Sequence, residues 1–241
     1  MKTTQWIALV FAFVLSGPLA KAQEMTAEQV LDKAIAFHDP EGKWENFKGE
    51  FTVKMRTPKN PDRTSVIQLD FPKQLFSLAV NRSGVNYSYS LDKEQCTILF
   101  DGKAEFSEED KKKYRLNCER GTMMKNYYTY LYGLPMKLKD PGTKLHPKVL
   151  QKSFKGKDYL VLKVDYEQEV GDDTWYFYFD PKTYAMEVYQ FYHDESKNDG
   201  EYILLSGMET INGIHMPKKR DWYYNKDEAF LGSDLLLPPK K

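Results

Sequence analysis

The chain has 241 residues, with 35 basic and 35 acidic side chains, 41% hydrophobic residues and 15% aromatics. This balance of charge supplies no electrostatic argument for nucleic acid or an anionic membrane surface as a partner. The length suits one large β domain as well as two small ones, and one is the simpler expectation.

The N-terminus carries Lys2, the apolar run Trp6 to Leu15, a break at Ser16-Gly17-Pro18, and small residues at Ala20 and Ala22. This is the three-part pattern of an export signal. The apolar run is shorter than the roughly 20 residues a membrane anchor needs. The sequence therefore predicts a cleavable signal over 1–22, cut between Ala22 and Gln23, and a single domain over 23–241. A lipoprotein would carry Cys at the position of Gln23, so no lipid anchor is expected. Losing Lys2 and Lys21 leaves 33 basic against 35 acidic residues, a net charge of −2. Cys96 and Cys118 lie 22 positions apart in a chain bound for an oxidising compartment, which favours a disulfide over two buried thiols. Closing such a loop stabilises by about 3 kcal/mol.

Thr26 and Gln29 form a capping-box pattern, and Val30, Leu31, Ala34, Ile35 and Phe37 follow at helical spacing, predicting a helix over 26–38. From Phe51 the period changes to two, and runs at 65–71, 74–80, 85–90 and 97–100 read as strands of an antiparallel meander. Between Ser107 and Leu138 helical spacing returns. Ser107 with Asp110 is a weaker helix start, and Met123, Tyr127, Tyr130, Leu131 and Leu134 lie along one side of a helix over 122–132. Strands resume near Val149 and at 159–167, 174–179, 184–193, 201–210 and 215–224. Asp180-Pro181-Lys182-Thr183 marks a turn and Asn212-Gly213 a two-residue hairpin. About ten strands are expected in all.

The strand Trp175-Tyr176-Phe177-Tyr178-Phe179 is aromatic on both faces. Either its tyrosines pack their rings and expose their hydroxyls, or the strand borders a ligand groove. Motifs for nucleotide binding, zinc proteolysis and serine hydrolysis are absent, so no cofactor is expected. His193-Asp194-Glu195 juxtaposes three metal-ligand types, but neighbours on a strand point to opposite faces, and a solvated loop is the better account; no metal is expected.

The run Trp175 to Val188, with its Asp-Pro-Lys-Thr turn, followed by Ile211-Asn212-Gly213-Ile214-His215-Met216-Pro217, resembles the carrier superfamily typified by LolA. Phe37-His38-Asp39-Pro40 with Trp44, and Tyr130 to Met136, resemble a group of secreted Bacteroidota proteins without assigned activity. The resemblance implies a mainly β fold with helices (α+β): a strongly curved antiparallel sheet forming an incomplete barrel, helices on its concave face, and an apolar space that accepts acyl chains. With the export signal, no later stretch of membrane-spanning length and the missing catalytic motifs, the expectation is a soluble periplasmic protein without enzymatic activity, whose partner is an apolar ligand or a lipidated protein. An envelope interaction module with a self-filled groove and a hydrolase with an unrecognised site are the alternatives. If the 122–132 helix lies over the sheet, Met123, Tyr127 and Leu131 on one stripe face Leu160, Leu162 and Val164 on one strand and Trp175, Phe177 and Phe179 on the next. These nine residues are the candidate groove, or else they pack together as core.

Overall fold

The structure, a computed structural model, describes residues 25–239, so the export signal and its Ala22–Gln23 cleavage point lie outside the described residues. Helix α1 (Ala27–His38) opens with the full capping box: Thr26 accepts from the Gln29 amide and Gln29 reaches back to the Thr26 amide. Five strands follow as a meander: β1 (Lys48–Thr57), β2 (Asn60–Asp70), β3 (Leu75–Arg82), β4 (Val85–Asp92) and β5 (Gln95–Phe100). Helices α2 (Glu108–Tyr114) and α3 (Cys118–Gly133) interrupt them. The second run is β6 (Thr143–Leu145), β7 (Leu150–Phe154), β8 (Lys157–Tyr166), β9 (Thr174–Phe179), β10 (Met186–Tyr192), β11 (Glu201–Ile211), β12 (Ile214–Tyr224) and β13 (Phe230–Leu237).

All thirteen strands belong to one antiparallel sheet that does not close into a barrel, in the order β5-β4-β3-β2-β1-β13-β12-β11-β10-β9-β8-β6, with β7 also on β8. The count exceeds the expected ten chiefly because β6 and β13 carry no clear period-two signal. β13 contains Gly232 and Asp234 in its middle, yet it sits between β1 and β12 and joins the two meanders. Asn212 and Gly213 make the β11–β12 turn with φ of +49° and +91°, the conformation that favours Asn-Gly there.

The sheet bends sharply around α3. β4 and β9 are second and tenth in the order, eight steps of about 4.8 Å, or roughly 38 Å across a flat sheet. Both touch the same short stretch of helix. Tyr89 of β4 lies 3.2 Å from where a Cβ on Gly121 would stand, and the Trp175 ring of β9 is 5.7 Å from the Tyr130 ring. Those helix positions are nine residues apart, roughly 14 Å. The main core fills the concavity between the helices and the sheet, with Val30, Leu31, Phe51, Ile67, Phe76, Phe177 and Ile203 fully buried.

Cys96 on β5 and Cys118 at the start of α3 form a disulfide, fastening the helix to the edge strand. At the other end of α3, Trp44 lies where a Cβ on Gly133 would stand, 2.1 Å from one of its ring carbons. Asp39 holds that indole in place by accepting from the Lys43 and Trp44 amides at 2.7 and 2.9 Å. The two sequence stretches at 37–44 and 130–136 are thus one packing unit.

Candidate functional site

Helix α3 has apolar and aromatic residues around most of its circumference. Gly121, Met124, Tyr128, Leu131 and Tyr132 turn into the core, leaving Met123 and Tyr127 on the flank. That flank, the 167–173 loop joining β8 to β9, and the segment 137–143 enclose a cleft of about 1030 Å³. Tyr127, Tyr130, Tyr166 and Trp175 supply aromatic wall, Phe71 another part of it, and Met123, 47% exposed, stands among the lining residues. Tyr130 and Tyr166 share a hydroxyl hydrogen bond, and burial raises the pKa of both phenols and of Tyr127, so this wall is uncharged. The charged lining groups include Lys125, Glu169, Asp173 and the Lys137–Asp140 ion pair.

Of the nine candidate residues, the structure brings Met123, Tyr127 and Trp175 together in this cleft. Leu131, Leu162, Val164, Phe177 and Phe179 are buried in the main core, and Leu160 is half-buried against it. Tyr130, three residues after Tyr127, was legible as a neighbour from helical spacing. Phe71 and Val170 were not, because each sits in a connection whose path depends on the rest of the fold.

The second face of the aromatic strand is self-contained. Tyr159, Val161, Tyr176, Tyr178 and Val188 form a separate small cluster on the outer side. Their hydroxyls have partners: Tyr176 donates to Glu195, Tyr178 to Gln190 at 2.7 Å, and Tyr159 to Glu187 at 3.2 Å. Lys152 lies 3.9 Å over the Tyr176 ring. Here packed rings with bonded tips explain the pattern without a ligand.

Side chains of the other suspected cluster diverge. His193 pairs with Asp173 at 2.6 Å, Asp194 caps the following turn through the Ser196 amide, and Glu195 takes Lys163 at 2.8 Å. Among the described residues no group of His, Cys, Asp and Glu is arranged to hold a metal ion.

Beneath α3 lies a buried charged group that sequence reading missed. Arg220 of β12, wholly buried, stacks 4.0 Å over the Tyr132 ring and donates to the carbonyls of Pro217 and Leu131 at 2.9 and 3.2 Å. Asp234 of β13 supplies the opposing charge and accepts from the Trp222 indole at 3.2 Å. This contact ties the last turn of α3 to the middle of the sheet, so one wall of the cleft is held from below.

Comparison with known proteins bears on the fold. The model of a family of unknown function, DUF6503, matches residues 5–238. No curated protein matches the chain. Among solved structures, a LolA superfamily protein from Nitrosomonas europaea superposes with a TM-score of 0.50 at 11% identity, covering 90% of this chain and 96% of that one. A DUF1329 family protein from Desulfovibrio piger gives 0.48 at 8% identity, over 88% and 91% of the two chains. The first of these shows that the chain shares its fold with a LolA superfamily protein.

Proposed function

Because the chain belongs to DUF6503, a family described as of unknown function, membership assigns no activity, and we propose from fold and cleft that it is a non-enzymatic carrier or binding protein for an apolar ligand, exported to the periplasm. The observation that carries this reading is the cleft of about 1030 Å³ beside α3. That volume is at the upper end of the roughly 300–1,000 Å³ typical of ligand sites, and its aromatic wall supplies the apolar area such sites use, beside charged and polar side chains that make up about half of its lining residues. An acyl chain fits such chemistry: it asks for area and offers no hydrogen bonds, and a thioether such as Met123 adapts to its shape. The signal pattern over residues 1–22 supports the export part of this reading. Among the described residues no helix is long and apolar enough to cross a membrane.

The test is a pair of substitutions read against a fluorescent fatty-acid probe and against native mass spectrometry of protein purified from its own host. Met123 is half exposed, so Met123→Trp should change stability by less than about 0.5 kcal/mol. Tyr127→Trp fills the same space from the next turn. Both should weaken probe binding tenfold or more. Unchanged binding per folded molecule in both variants would refute the proposal at this cleft.

A second reading has its own support. Leu131, Leu162, Val164, Phe177 and Phe179 fill the concave face themselves, as an envelope interaction module with a plugged groove would have it. Absence of copurified lipid together with absence of probe binding would favour that reading.

A further inference from the structure

On another side of α3, a smaller cleft of about 240 Å³ opens toward β2, β3, β4 and the end of α2, and it shares no lining residue with the larger one. Five cations line it: Arg63 of β2, Arg82 of β3, Lys113 and Arg115 at the end of α2, and Arg120 in the first turn of α3. Among the described residues no Asp or Glu lines it. Among the described residues none of the five forms an ion pair with a carboxylate. In a chain whose charges balance overall, this is a concentrated positive field inside a concavity, where low-dielectric walls strengthen it.

The arrangement works against the fold in isolation. Arg63 and Arg82 stand directly opposite each other in the β2–β3 register, and like charges at such a pair repel. The Nε of Arg63 is buried without a hydrogen-bond partner. The guanidinium of Arg120 reaches Met123 Sδ at 3.4 Å, a weak acceptor. The carboxylate whose field reaches Arg63 is Asp234, which is buried and shared with Arg220. Tyr89 contributes no counter-charge either, since its hydroxyl donates to the Arg115 carbonyl at 3.0 Å.

We propose that this cleft is a binding site for a phosphate group, carried by a lipid headgroup or by a soluble phosphate compound. Four guanidiniums and an ammonium, none of them in ion-pair contact with a carboxylate among the described residues, favour a multivalent oxyanion over a single carboxylate. A phosphate monoester presents three strong acceptor oxygens and close to two charges, a diester headgroup two such oxygens and one charge, and guanidinium forks match the geometry of either. The volume equals that of about eight waters at about 30 Å³ each, which accommodates one phosphate or a diphosphate. Nothing in this assignment depends on the acyl-ligand reading, whose cleft is lined by other residues.

Two probes distinguish the sources: calorimetric titration with inorganic pyrophosphate, and flotation with vesicles of phosphatidylglycerol in phosphatidylcholine against phosphatidylcholine alone, both at low salt. The double variant Arg82→Gln/Arg120→Gln spares Arg63, whose Nε is buried. Lys148→Gln/Lys226→Gln removes the same charge from two exposed positions elsewhere. Whichever probe binds the unaltered protein should bind at least tenfold more weakly to the arginine variant and within twofold to the lysine variant, with equal melting temperatures showing that both are folded. Pyrophosphate binding identifies a soluble ligand, and binding to the phosphatidylglycerol vesicles alone identifies a headgroup. Failure of both probes, or equal weakening in the two double variants, would overturn the proposal.

Discussion

His38 shows how much one side chain organises here. It is fully buried, its Nδ1 bonded to the His215 carbonyl at 2.6 Å, while its Nε2 accepts from the Met186 amide at 3.0 Å. Both bonds together require the neutral ring, with the proton on Nδ1. Burial lowers its pKa from 6.5 to about 4. The unfolded chain therefore takes up the proton at a higher pH than the folded one. Stability from this residue is complete above about pH 6.5 and is lost as the pH falls toward 4, by about 2–3 kcal/mol at pH 4.5. Urea denaturation at pH 7 and 4.5 should show this loss, and His38→Gln should be less stable at pH 7 but flatter between the two. Equal pH slopes in both proteins would contradict the assignment.

At the scale of elements, α3 is placed by its two ends. Its C-terminus depends on Gly133, since any side chain there would occupy the space of the Trp44 indole. Gly133→Ala should cost about 1–3 kcal/mol by overpacking, read as a lower denaturation midpoint with an unchanged slope. Its N-terminus depends on the Cys96–Cys118 bond. Reducing it, or replacing both cysteines by Ser, should cost about 3 kcal/mol, and mass analysis of unreduced, alkylated protein should find no free thiol. Many of these local features were legible beforehand: the capping box at Thr26, the Asn212-Gly213 turn and the 174–179 strand agree with their spacing. The inward stripe of α3 was not. Its aromatics surround the helix, so periodicity alone does not say which side meets the sheet, and Met124, Tyr128 and Tyr132 take the inward positions next to the Met123 and Tyr127 of the sequence reading.

For the whole molecule, β13 is the strand on which the architecture turns. It alone lies between the β1–β5 meander and the β8–β12 meander in the strand order. A chain ending at Asn225 should lose cooperative unfolding, because β1 and β12 would both become unpaired edges and Leu236 would leave the core. A sharp thermal transition in that truncated chain would show that the two meanders pair without it. Taken by itself, the sequence determined the mainly antiparallel class and most element positions, because period, caps and turns are local properties, while the 175–188 and 211–217 motifs carried the resemblance to the LolA superfamily. The tertiary structure decided which residues line a cleft and which fill the core, since that depends on how far the sheet bends around α3. It also decided the meeting of Arg63 with Arg82 and of Arg220 with Asp234, pairs brought together by strand register and sheet order, which no local pattern in the chain encodes.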